Sequence, residues 1–168
     1  MVDVPLAPPP TGVDLDVWDA ACAAIRTYCE WHVAPAVEET VIVDGSGGSV
    51  QLLPTLRLKT LHSISAGGVT VVDPEWSETG AVRGCWSSKL RGVEASITHG
   101  YDTCPADVLA VARAVAATAA AAAGSLGAAR FTSGPHSVEL NDAAQSGGVA
   151  LSDMQMAVLD RYKLPPRP

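Results

Sequence analysis

The chain has 168 residues, 48% hydrophobic but only 5% aromatic, with a formal net charge of −7. That length allows one domain with a core, but a core of alanine and valine buries less area per residue than one of leucine and phenylalanine, which points to help from neighbouring subunits. There is no Lys/Arg block, which excludes ordinary nucleic-acid binding by phosphate neutralisation.

The charge is uneven: residues 1–40 hold seven acids and one base, Arg26, whereas the rest hold eleven acids and ten bases. Residues 1–12 are rich in proline and predict an extended or mobile arm. The opening "MVDVPLAPPP" lacks the basic stretch and apolar run of a secretion signal. The four cysteines, Cys22, Cys29, Cys85 and Cys104, form no CxxC pair, so free thiols in a cytoplasmic fold are expected. Asp14 or Thr11 is placed to cap a first helix over 15–32, whose apolar stripe is Trp18, Cys22, Ile25 and Cys29; Pro35 is its expected stop.

A β-rich middle follows over about 37–99. "VEETVIV" and "SVQLLP" flank "DGSGG" and predict a hairpin with a long loop. "LRLKTLHSI" predicts a strand that turns at "AGG" into "VTVV". "AVRGCW" and "GVEASITHG" read as a further pair around "SSKLRG". In the last strand Val93, Ala95 and Ile97 alternate with Glu94, Ser96 and Thr98, the pattern of a half-buried strand.

A second helix is predicted over 105–123, with Pro105 in its first turn and Gly124 ending it. Only Asp107 and Arg113 are charged there, so Val108, Ala112, Val115 and Ala119 are expected to serve a subunit interface; Arg113 and the weakly apolar alanines argue against a membrane span. "ARFTSGPHSVEL" reads as a short hairpin and "NDAAQSGGVA" as a polar loop. A third helix follows, capped by Ser152, with Met154, Val158 and Leu159 on its apolar side. Arg161, Lys163 and Arg167 close the chain, either complementing that helix's dipole or meeting an acidic partner. The fold class is α+β in a single domain: a mainly α-helical core of three helices with an inserted antiparallel β-hairpin or sheet region.

Two clusters invite chemistry. His99, Tyr101, Asp102 and Cys104 fall within six residues, where a Cys104 nucleophile at a helix N-terminus with His99 as base is conceivable. No oxyanion site or third orienting group accompanies them. The favoured reading is a structural joint of His99, Gly100, Tyr101, Asp102 and Pro105, with Asp102 and Thr103 serving the free N–H groups at the helix start. Cys22, Cys29 and His32 suggest zinc, but no second ligand pair has the usual spacing, and core packing is the simpler account. No catalytic, metal or cofactor site is expected.

The order of parts then resembles a known family. "AACAAIRTYCEWHVAP", "ETVIVDGSGGSVQLLPTLRLKTLHSISAGG", "VEASITHGYDTCPADVLAVARAVA" and "MAVLDRYKLPPRP" together resemble the head–tail connector (adaptor) proteins of long-tailed double-stranded-DNA bacteriophages, in particular those of actinobacteriophages. The resemblance implies a Pro-rich arm at 1–12, a connector domain at 13–162 and a tail at 163–168. It also implies a dodecameric ring stacked beneath the portal protein in the virion, assembled in the host cytoplasm. Such a ring extends the DNA channel and offers a platform to a stopper or tail-side connector protein. Genomic DNA would pass through without sequence-specific binding. An acidic inner surface would repel it, and some of Asp14, Asp16, Asp19 and Glu30 are expected to face the lumen. The family brings no catalytic residues. The competing readings are a head-closure stopper or tail-completion protein and, more remotely, a small cysteine- or metal-dependent enzyme.

Overall fold

The computed structural model describes residues 4–125 and 149–165. Helix α1 spans Leu15–Cys29, and Asp14 caps it by accepting from the Asp16 N–H at 2.9 Å. It ends three residues before the expected 32. Glu30 takes a left-handed conformation, φ 67°, and its N–H returns to Arg26 O, so Glu30 rather than Pro35 is the stop. The buried stripe is Trp18, Cys22, Ile25 and Cys29, joined by Ala21 and, against expectation, Arg26.

Among the described residues six strands follow: β1 (Val37–Val43), β2 (Val50–Leu52), β3 (Leu58–Ala66), β4 (Val69–Thr70), β5 (Ala81–Arg83) and β6 (Val93–His99). One antiparallel sheet has the order β1-β6-β3-β4, and β2 and β5 pair separately. Two expected pairings are therefore wrong. β1 and β2, on either side of "DGSGG", lie in different sheets, and β5 pairs with β2 rather than with β6. The β3–β4 turn at Gly67–Gly68 forms as read. The alternation in β6 also holds, with Val93, Ala95, Ile97 and His99 all buried.

Helix α2 spans Ala106–Ser125 and runs through Gly124 instead of ending there. The short helix α3 spans Asp153–Leu159 and passes into a 3₁₀ turn at Asp160–Tyr162. Ser152 and Gln155 form a reciprocal capping box, which fixes the start of α3. Leu159 is fully buried, but Met154 is 82% exposed and does not belong to the apolar side. The expected hairpin at 129–140, most of the loop at 141–150, and Arg167 lie outside the described residues.

The apolar interior forms two clusters. One collects α1, α2, Trp31–Ala34 and Leu159, and the other collects Val41, Val43, Leu58, Ile64, Val93, Ala95 and Ile97 from the strands, with Trp86 from the connection between β5 and β6. The fold is thus mixed α+β, with the sheet holding a core of its own beside the helical one. No helix among the described residues is long and apolar enough to cross a membrane.

Candidate functional site

The cluster at His99 is a junction between three stretches far apart in sequence. Gly100 has φ +100°, which lets β6 turn sharply toward α2. Its N–H donates to Arg57 O at 2.9 Å, and the Tyr101 N–H donates to Val33 O at 2.9 Å. Trp31 packs near the rings of His99 and Tyr101, each at 6.3 Å, and the His32 and His99 rings lie 6.0 Å apart. The C-terminal stretch closes the group. Trp31 Nε1 donates to Tyr162 O at 2.6 Å, the Tyr162 ring meets Tyr101 edge-on at 6.1 Å, and the Leu164 N–H donates to Cys29 O.

Burial favours the neutral forms of the imidazoles and thiols here. His99 Nε2 donates to Glu39 Oε1 at 3.0 Å, and His32 Nε2 donates to Pro35 O at 2.6 Å. Burial nevertheless pushes both pKa values below the ordinary 6.5, because a buried imidazolium loses more hydration than these partners restore. The Cys104 thiol is pushed up to about 11, and that of Cys29 to about 12, chiefly by burial. Such thiols are poor nucleophiles and poor ligands. Burial and the hydrogen bond to Asp107 likewise hold the Tyr162 hydroxyl at about 12. Among the described residues no group of three or more His, Cys, Asp or Glu is placed to hold a metal.

His99, Gly100 and Tyr101 thus act together. Asp102 serves a different role from the one expected: it takes an ion pair from Lys59 Nζ at 2.5 Å, tying the corner to β3, and Asp107 itself accepts from the Val108 N–H. On α2, Val108, Ala112 and Val115 are buried within the chain's own helical core, and only Ala119 is partly exposed. The face assigned to a neighbour is spent inside the protomer, because the α1 stripe needs a partner first. The N-terminal arm is likewise docked from residue 4 onward. Leu6 is buried, Trp18 Nε1 donates to Ala7 O at 2.8 Å, and Arg26 donates to Val4 O and, at 2.9 Å, to Ala34 O. Arg161 pairs with Asp107 at 3.3 Å, and Lys163 Nζ sits 4.7 Å from the Tyr28 ring centre.

Asp14, Asp16, Asp19 and Glu30 are all exposed. Glu30 stands at the far end of α1, a helix of 15 residues and hence about 22 Å long, away from the other three. There it lines a groove of about 300 Å³ with Trp31, His32, Pro54 and residues 39–43 of β1. Sequence reasoning overlooked the burial of Arg26 and this groove. The available signal was a lone arginine within an apolar helical stripe, followed by "WHVAP".

No family model and no curated protein matches this sequence. Among solved structures, the chain is similar to one from a "Neck of native GTA particle computed with C12 symmetry". The identity is 17% and the TM-score 0.53, covering 92% of this chain and 83% of that one. It is also similar to a chain of a "Virion of native gene transfer agent (GTA) particle", at 17% identity and TM-score 0.51, covering 92% and 78%. At this identity the likeness is one of fold.

Proposed function

We propose that this chain is a structural protein of a virion neck: a head–tail adaptor whose copies form a ring beneath the portal, extend the DNA channel and receive a stopper or tail-side protein. The observation that carries the reading is the fold likeness, spanning 92% of the chain, to a neck component of a gene transfer agent particle with twelvefold symmetry. The connector resemblance of the sequence, including its actinobacteriophage character, agrees with it. So does the chemistry of the junction, which locks β6, α1 and the C-terminal stretch together with raised thiols and neutral imidazoles.

In this role Asp14, Asp16 and Asp19 line the channel and repel DNA phosphates so that the genome slides. Glu30, at the groove, is released from that duty. The exposed side of α2 and the basic C-terminal residues remain candidate contacts with the portal or the tail side.

The test is to mix the purified chain with purified portal rings of the same particle and image the product by electron microscopy. A second ring on the tail-proximal side of the portal is expected. A folded chain that ignores the portal but binds tail-side proteins would overturn the adaptor role in favour of a tail-completion role.

A further inference from the structure

We infer that the buried pair His32 and His99 is an acid-operated release: when these rings take up protons, the joint between the helical cluster and the sheet opens while both clusters stay folded. The inference concerns the single chain and does not rest on the neck reading.

The two rings sit on opposite sides of the joint. His32 lies in the Trp31–Ala34 stretch, which packs with α1 and α2. His99 ends β6 and is the register partner of Val37 in β1 and of Leu58 in β3. Each is 1% exposed, and their ring centres lie 6.0 Å apart. Beside them the Tyr101 N–H crosses the joint to Val33 O.

Each ring has one nitrogen committed. Nε2 of His32 meets Pro35 O at 2.6 Å, and Nε2 of His99 meets Glu39 Oε1 at 3.0 Å. A carbonyl and a carboxylate only accept, so Nε2 carries the hydrogen in each ring and Nδ1 keeps its lone pair. Both Nδ1 atoms are buried without a hydrogen-bond partner among the described residues. A neutral ring forgoes one acceptor bond there. A protonated ring fares far worse, because its Nδ1 becomes a charged donor that finds no acceptor in the closed joint. Two such cations also face each other across 6.0 Å. The proton is therefore admitted only when Nδ1 reaches water, and parting the rings supplies that access.

The surrounding charges do not reverse this. On β1, Glu39 favours a charged His99 and, more weakly, a charged His32. Arg26 on α1 opposes a charged His32, and the chain's amino group opposes a charged His99. On β3, Arg57 and Lys59 flank Leu58 and are paired with Glu78 and Asp102. At the start of α2, Asp107 is engaged by Tyr162 and Arg161. Burial outweighs the help from Glu39, and both rings resist protonation while the joint is closed. The rings can part without global unfolding because each cluster keeps its own interior.

The test follows amide exchange by NMR in the purified chain at about pH 7.5 and about pH 5, corrected for the intrinsic pH dependence of exchange. Tyr101 reports the joint, Ile97 the sheet and Ile25 the helices. Closure is full above about pH 6.5 and weakens below it, because the open form takes up protons that the closed form refuses. Exchange at Tyr101 should therefore rise by about tenfold or more on acidification, while Ile97 and Ile25 change far less. The double variant His32→Gln/His99→Gln, checked for native circular dichroism, should abolish the rise. Exchange at Tyr101 that ignores pH overturns the inference. So does a rise shared equally by all three amides, which is acid unfolding of the whole chain, and so does a rise that survives in the double variant. If that variant does not fold, the ring C–H resonances of the parent decide. Both rings should titrate in step with Tyr101 exchange, and rings that titrate while Tyr101 stays protected overturn the inference.

Discussion

At Gly100 a side chain has nowhere to go: a Cβ would lie 3.1 Å from Pro35 O and 3.3 Å from Val33 O, in a backbone with φ +100°. Gly100→Ala should cost about 2 kcal/mol in urea denaturation. Gly12→Ala should cost less, because Gly12 shares a positive φ but has nothing within 4 Å. The two buried histidines set a pH dependence. Their folded pKa values lie below 6.5, so above that pH both folded and unfolded chains are neutral there and stability is full. As pH falls through 6.5, the unfolded chain takes up protons that the folded chain refuses, and stability declines toward the folded pKa values. The urea midpoint should drop between about pH 7.5 and about pH 5.5, and His99→Gln should flatten that drop. Thiol accessibility checks the same burial. Of the four cysteines only Cys85 is exposed, so a thiol reagent should label one site quickly and the other three only on unfolding. Rapid native labelling of Cys104 would revive a nucleophile reading.

Among the elements, the helices were legible in the sequence and the strand partners were not. Asp14, Ser152 and the Trp18–Cys29 stripe are local signals that act within a few residues, and the structure uses each of them. Ser152→Ala should therefore cost about 1 kcal/mol and loosen the C-terminal stretch, visible as faster amide exchange at Leu164. Strand pairing is different, because adjacency in sequence is only a tendency. β1 finds β6 some fifty residues on, since β6 is buried on its apolar face and needs a partner on each side. The "DGSGG" turn signal says that the chain bends, not which strands then meet. The junction was half legible. "HGYD" and "WHVAP" each stood out, but their contact through Tyr101 and Val33 is a matter of tertiary packing. On α2, Ala112 is fully buried where the helical core gathers small residues from both long helices. Ala112→Leu should destabilise by about 1–3 kcal/mol through overpacking, read as a lower thermal midpoint.

For the whole molecule, the division of the apolar interior into a helical cluster and a sheet cluster shapes how the fold comes apart. His99 spans that division: it is the register partner of Leu58 in the sheet and lies 6.3 Å from Trp31 among the helices. Regions with separate interiors open as separate cooperative units, each with its own free energy. Amide exchange under native conditions should accordingly resolve two plateaus of protection, one for β1, β3 and β6 and one for α1 and α2. His99→Gln should widen the gap between them. A chain built this way is a hinge in thermodynamic terms: it can loosen one half while the other keeps its shape.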